Sequence, residues 1–239
     1  MAAIEKVFQA KDGRMIPVIV RINHRARRLI IRIDQKHQRG IAVAPSEAYV
    51  DEALSFAQSR IDWIAEGLSN LPQPVALAEG SEVLLRGSPH ILTGAGTGRI
   101  ARISNGEPPH IVCPGDPDTL GRRAERFLRK LAKQDLTTAV EQHAQTLGVR
   151  PQRISVKDTR SRWGSCTAKG DLSFSWRLIL APEFVLDYVA AHEVAHLKEM
   201  NHSPRFWAEV EKCIPDWKRA RNWLRTEGRR LHALNADAL

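Results

Sequence analysis

The chain has 239 residues, 43% hydrophobic and 26% charged, with a formal net charge of +9. Those proportions fit a globular protein of one large domain or two small ones, and the basic balance favours a polyanionic partner or a solvated basic surface. No apolar run approaches the ~18 residues needed to cross a bilayer, and three cysteines without C-x-x-C spacing argue against a disulfide framework.

The chain opens on Met1-Ala-Ala-Ile-Glu-Lys, which lacks the apolar stretch of a secretory signal, so a cytoplasmic location is expected. Residues 15–22 and 27–34 are rich in Ile and Val and are separated by Asn23 to Ala26, which predicts a β-hairpin, with a further short strand at 41–44. Arg21, Arg25, Arg27, Arg28, Arg32, Lys36 and Arg39 oppose only Asp34 there. They form either a nucleic-acid or phosphate face, or the wet side of a half-buried sheet. A helix is predicted over 46–67, with Glu47, Asp51 and Glu52 in its first turns and Val50, Leu54, Ala57, Ile61 and Ile64 along one stripe. Pro72 and Pro74 mark a turn. Short apolar runs between 82 and 112 read as a small sheet, and the glycines from Gly94 to Gly98 as a hairpin turn rather than a phosphate loop, since no Lys and no helix follow. No internal repeat is evident.

Pro114-Gly115-Asp116-Pro117 is the clearest candidate boundary. It divides the chain into a β-rich part, 1–115, with one helix, and an α+β part, 116–239. A long helix follows over 118–147, basic in its first half and ended by Gly148, and then a strand over 153–157. Leu172, Phe174 and Trp176 alternate with Ser173, Ser175 and Arg177, so one side of that strand faces a core.

The informative stretch is 192–202, His-Glu-Val-Ala-His-Leu-Lys-Glu-Met-Asn-His. Two imidazoles four residues apart on a helix share one face and can bridge a metal ion. Glu193 occupies the position that, in zinc peptidases, takes a proton from activated water rather than binding the metal. His202 would complete three protein ligands and leave a fourth position open, the pattern of a catalytic zinc. Glu209 and Glu211 are the runner-up third ligands. The metal helix is expected to begin at Pro182 and to stop near Asn201, with Asn201 in the left-handed conformation that ends helices. Ser203-Pro204 then caps another helix, running to about Cys213.

The runs Ser161-Arg162-Trp163-Gly164-Ser165-Cys166, Trp176-Arg177-Leu178, Ala181-Pro182, His192 to His196 and Asn201-His202-Ser203-Pro204-Arg205-Phe206-Trp207 resemble the YgjP-like metallopeptidase family, itself related to the SprT-like and WLM zinc proteases. The resemblance implies a zincin-like catalytic domain, one Zn2+ on His192, His196 and His202, and Glu193 as general base. It also places the strand containing 172–176 at a sheet edge beside the metal helix, where extended substrate pairs. Proteases of this His spacing often have Gly three residues after the second His; here that residue is Glu199. Arg162 and Arg177 are candidates to contact substrate or an oxyanion. The expected partner is a peptide or protein, with no membrane. Nickel or manganese could replace zinc. Two other readings use the same residues. One is a metal-dependent hydrolase of nucleotide phosphoanhydrides. The other is a nucleic-acid-associated protein with a structural zinc.

Overall fold

The computed structural model describes residues 4–34, 37–69, 75–94, 98, 100–159 and 161–235. The fold is α+β, and the chain divides into two compact units, Met1–Leu71 and Pro72–Leu239. Pro72, Pro74 and residues 95–97 of the glycine-rich turn lie outside the described residues.

The first unit comprises β1 (Ile4–Gln9), β2 (Met15–Ile22), β3 (Ile30–Asp34), β4 (Arg39–Ala44), α1 (Val50–Ser59) and α2 (Ile61–Ser69). The sheet order is β1-β2-β4-β3, with β2 and β4 parallel. The expected hairpin between 15–22 and 27–34 does not form: both strands pair with β4 instead. Ala42, Val43 and Ala44 are all buried, so β4 has the unbroken apolar character of a central strand. β1 has only Phe8 buried, which is why no period-2 signal announces it. Ile16, Val18, Val20, Ala42 and Ala44 pack under Ala53, Ala57, Ile61, Ile64 and Leu68. A Cβ at Gly40 would lie 3.0 Å from Val18 and 3.2 Å from Ile64, so the sheet and α2 meet closely there. The single helix expected over 46–67 is two, because Arg60 breaks from helical geometry and its N–H turns back to Ala57 and Gln58 carbonyls.

The second unit opens with β5 (Val75–Ala76) and a sheet of β6 (Glu82–Leu85), β7 (Ser88–Thr93), β8 (Arg102–Ser104) and β9 (His110–Val112). Helix α3 (Leu120–Leu147) follows. Leu77, Val83, Leu85, Leu92, Ile111 and Cys113 share one core with Leu120, Leu128 and Leu136 of α3. The division therefore falls before residue 75, not at 115/116 as the Pro-Gly punctuation suggested. The turn at 114–117 instead leads a sheet into the helix that covers it. The sheet order β6-β7-β9-β8, parallel only between β7 and β9, repeats the order and directions of the first unit's sheet. Each sheet is followed by a 3-10 turn and a helix. This repeat is one of topology and left no repeat visible in the sequence.

Gly148 at φ 64° closes α3 in the left-handed conformation. Next come β10 (Arg153–Lys157), β11 (Gly164–Cys166) and β12 (Asp171–Ser175), in the order β10-β12-β11. The strand expected at the edge, β12, is therefore central. Leu172 and Phe174 are fully buried. The edge belongs to β11, a strand too short to carry a periodic signal. A buried 3-10 segment, Trp176–Leu180, leads into α4 (Glu183–Ala195). Helices α5 (Pro204–Cys213) and α6 (Trp217–Thr226) pack on α4, and β13 (Leu234–Asn235) pairs with β5. Nine of the thirteen residues of α4 are buried, so the helix that holds the site runs through the core. No described helix is long and apolar enough to cross a membrane.

Candidate metal centre

The last turn of α4 presents His192, Glu193 and His196. The helix ends at Ala195 with His196 as its C-cap, earlier than the expected stop near Asn201. The N–H groups of Leu197, Lys198 and Glu199 bond to Val194 and Ala195 carbonyls, tightening the chain into a turn. Asn201 is not left-handed: among the described residues the only non-glycine residues with positive φ are Gln38 and Arg86. Position 199 consequently needs no glycine. What it supplies is its carbonyl, which accepts from His196 Nδ1 at 3.0 Å. That bond fixes the tautomer and leaves Nε2 of His196 as a lone-pair donor.

Ser203 caps α5 by accepting from the Phe206 N–H, a bond worth about 1 kcal/mol. The cap sets Phe206 beneath the histidines. Its fully buried ring lies 4.8, 4.4 and 4.7 Å, centroid to centroid, from His192, His196 and His202. The three imidazoles thus stand around one aromatic floor. One ring nitrogen from each lies within 4.8 Å of the others. Nε2 of His192 and Nε2 of His202 are 3.0 Å apart. Nitrogens that share a zinc at ~2.0–2.1 Å lie just over ~3 Å apart, so the His192–His202 pair already has the spacing of two ligands on one ion.

Electrostatics disfavour the charged form of the two donors on α4. Burial, reinforced by His196, His202 and Arg221, pushes His192 down to about 3. Burial also lowers His196. Glu193 is 5% exposed, and burial pushes its carboxyl up to about 8 against the pull of Arg162. Gly164 on β11 faces that carboxyl: a Cβ there would stand 2.5 Å from Oε1 of Glu193. Only glycine admits Glu193 in this position. A glycine inside a strand signals such an approach, and the sequence pattern alone assigned this one no role.

The other candidate residues lie elsewhere. Arg177 is 2% exposed and donates to Asp158 and to the carbonyls of Leu231 and Leu234, with its guanidinium over Trp176. It holds the C-terminal segment and is not presented to a substrate. Arg162 is exposed and acts electrostatically on Glu193. Glu209 is bound by Lys198 and Lys212, at 3.2 and 2.6 Å, and neither it nor Glu211 joins the three histidines.

A buried carboxyl thus stands beside three converging imidazoles, a set that could hold a metal ion, and comparison with known proteins gives the class. Residues 27–227 match the YgjP-like metallopeptidase domain, and the chain belongs to that family. It is also similar to the crystal structure of the metallopeptidase zymogen of Pyrococcus abyssi abylysin, at 24% identity and a TM-score of 0.35, over 38% of this chain and 95% of that one. No curated protein matches the chain.

Proposed function

We propose that the chain is a zinc-dependent peptidase of zincin type, with His192, His196 and His202 as the metal ligands and Glu193 as general base. The observation that carries this reading is the convergence of the three imidazole nitrogens within 4.8 Å of one another, beside a carboxyl buried on the same helix. Three ligands with His202 exposed leave a position open to solvent, which favours a catalytic over a structural ion. A divalent cation held there supplies Lewis acidity, activating water and polarising the scissile carbonyl. Glu193 accepts the proton of the attacking water and delivers it to the leaving amine. Its raised proton affinity suits both halves of that transfer.

The open edge of β11 offers backbone groups to an extended polypeptide, and Gly164 on that strand faces Glu193. A substrate paired there is bound through its main chain, so side-chain selectivity is weak. Arg162, near the same carboxyl, is the candidate to meet substrate or the developing oxyanion. Three free cysteines agree with a reducing, cytoplasmic setting.

Elemental analysis of wild type against His202→Ala, with peptide and nucleoside triphosphate hydrolysis assayed side by side, tests the reading. One zinc per wild-type chain, less in the variant, with cleavage of peptides only, is the expected result. Cleavage of triphosphates alone would replace the peptidase with a phosphoanhydride hydrolase on the same ligands. Wild-type protein that takes up no metal would remove the proposal altogether.

A further inference from the structure

The first unit has a surface for which the metal centre has no use. A groove of about 740 Å3 runs between the segment 26–29 and helix α1, lined by Arg27, Arg28, Tyr49 and Phe56. A second, of about 490 Å3, continues from it along the start of β3, lined by Arg28, Phe56, Arg60 and Trp63. Arg28, Leu29 and Phe56 belong to both, so the two form one trough.

Its aromatic side chains are spaced regularly. Tyr49, Phe56 and Trp63 recur every seven residues, one in the turn before α1, one in α1 and one in α2, and all three line the trough across the break at Arg60. Tyr49 is 46% and Trp63 52% exposed, so these rings do not serve the unit's own core. That core closes on Ile61, Ile64 and Leu68 instead.

The charge beside the row is one-sided. Arg21, Arg25, Arg27, Arg28 and Arg32 fall in a stretch, 13–33, that contains no Asp or Glu. None of Arg25, Arg27, Arg28 and Arg60 forms an ion pair with a described carboxylate. Glu52 is the one acid lining the trough.

From this juxtaposition we infer that the trough of the first unit binds single-stranded nucleic acid, with unpaired bases stacked on Tyr49, Phe56 and Trp63 and phosphates held by Arg27, Arg28 and Arg60. Exposed aromatic faces beside cations are the combination that holds single strands without sequence preference. A duplex keeps its bases stacked on each other and would use the arginines alone. An acidic polypeptide would likewise leave the aromatic row without a role. This site is separate from the metal centre and does not depend on the peptidase reading.

The test is fluorescence anisotropy of a labelled oligo(dT) 12-mer with the full-length wild-type chain, at several salt concentrations. Duplex DNA of equal phosphate number and polyglutamate serve as competitors. Wild type should bind the single strand in preference to both competitors. Trp63→Ala should weaken that binding between about fivefold and a hundredfold, and Trp63→Phe should restore most of it. Arg28→Ala should flatten the log–log salt dependence by roughly 0.7, the share of one phosphate on a single strand. Trp63 is half exposed, so its loss leaves the core intact. Equal competition by duplex or polyglutamate would overturn the inference, the latter in favour of an acidic protein partner. So would Trp63→Ala protein that binds the 12-mer as tightly as wild type.

Discussion

Helix α4 carries a histidine–carboxylate site at each of two places, and they behave oppositely. Near its middle, Asp187 accepts from His143 of α3 at 2.7 Å. At its end stand His192 and Glu193. His143 is 6% exposed and burial alone would lower its proton affinity, but hydrogen bonds to Asp187 and Cys213 overcome this and raise it to about 9. Among the described residues His192 has no carboxylate partner; burial and its imidazole neighbours push it down to about 3. One residue type, on α3 facing the middle of α4 and on α4 near its end, is thus held charged in one place and neutral in the other. The charged histidine ties α3 to α4. The neutral ones keep lone pairs available for a metal, which a protonated ring cannot do.

The strongest way to break this contrast is to remove the charge of each carboxylate in turn. Glu193→Gln keeps the side-chain shape but cannot accept a proton. Peptide hydrolysis should fall by about 10²–10⁴-fold while the metal content stays at the wild-type value. Asp187→Asn, on the same helix, should leave kcat/KM of the metal-loaded protein within about twofold. Equal losses from the two variants would show that α4 has a single functional site extending along it, and the contrast would fail.

A smaller effect is expected from Gly164→Ala. The added methyl would stand 2.5 Å from Oε1 and 2.6 Å from Cγ of Glu193, and the carboxyl must move aside. Displacements of about 1 Å can cost about 10²-fold in rate, so activity should drop by up to that factor. Metal content should not change, because the three atoms nearest the added methyl all belong to Glu193. A variant with full activity would mean that Glu193 is not held in place by β11.

These contrasts also explain which features could be read from the sequence. His192, Glu193, His196 and His202 could be read because ligand chemistry restricts residue types and a helix restricts spacing. Gly148 and Ser203 were legible as helix punctuation for the same kind of local reason. Long-range features were not. The insertion of β4 between β2 and β3 depends on which strand is apolar on both faces, and β11 became an edge through pairing with a strand several residues away. Arg162 and Arg177 had equal standing in the sequence. Only folding separates the exposed one from the one enclosed by Asp158, Leu231 and Leu234. The His143–Asp187 pair spans 44 residues and has no spacing that would announce it.

That pair gives the next prediction in size. Asp187→Asn should lower the unfolding free energy by about 1–2 kcal/mol at pH 6, where a charge-assisted hydrogen bond is replaced by a neutral one. The lower end is favoured because the Asp187 side chain is 43% exposed and solvent screens it. Denaturant midpoints with an unchanged slope would measure it.

The pH dependence of that difference is the finest test. The folded protein holds the His143 proton up to about pH 9, whereas an unfolded histidine releases it near 6.5. The folded state therefore binds more protons than the unfolded state between those values. The stabilisation from the pair is fully present below about pH 6.5 and is lost as pH rises toward 9. Wild type and Asp187→Asn should thus differ most at pH 6 and converge by about pH 9. His192 and His196 should not contribute with this sign or in this window, since their depressed proton affinity in the folded state makes stability rise with pH only up to about 6.5. A gap between the two proteins that stays constant from pH 6 to 9 would show that His143 is held neutral, and Asp187 of α4 would then have no charged partner to set against the neutral His192.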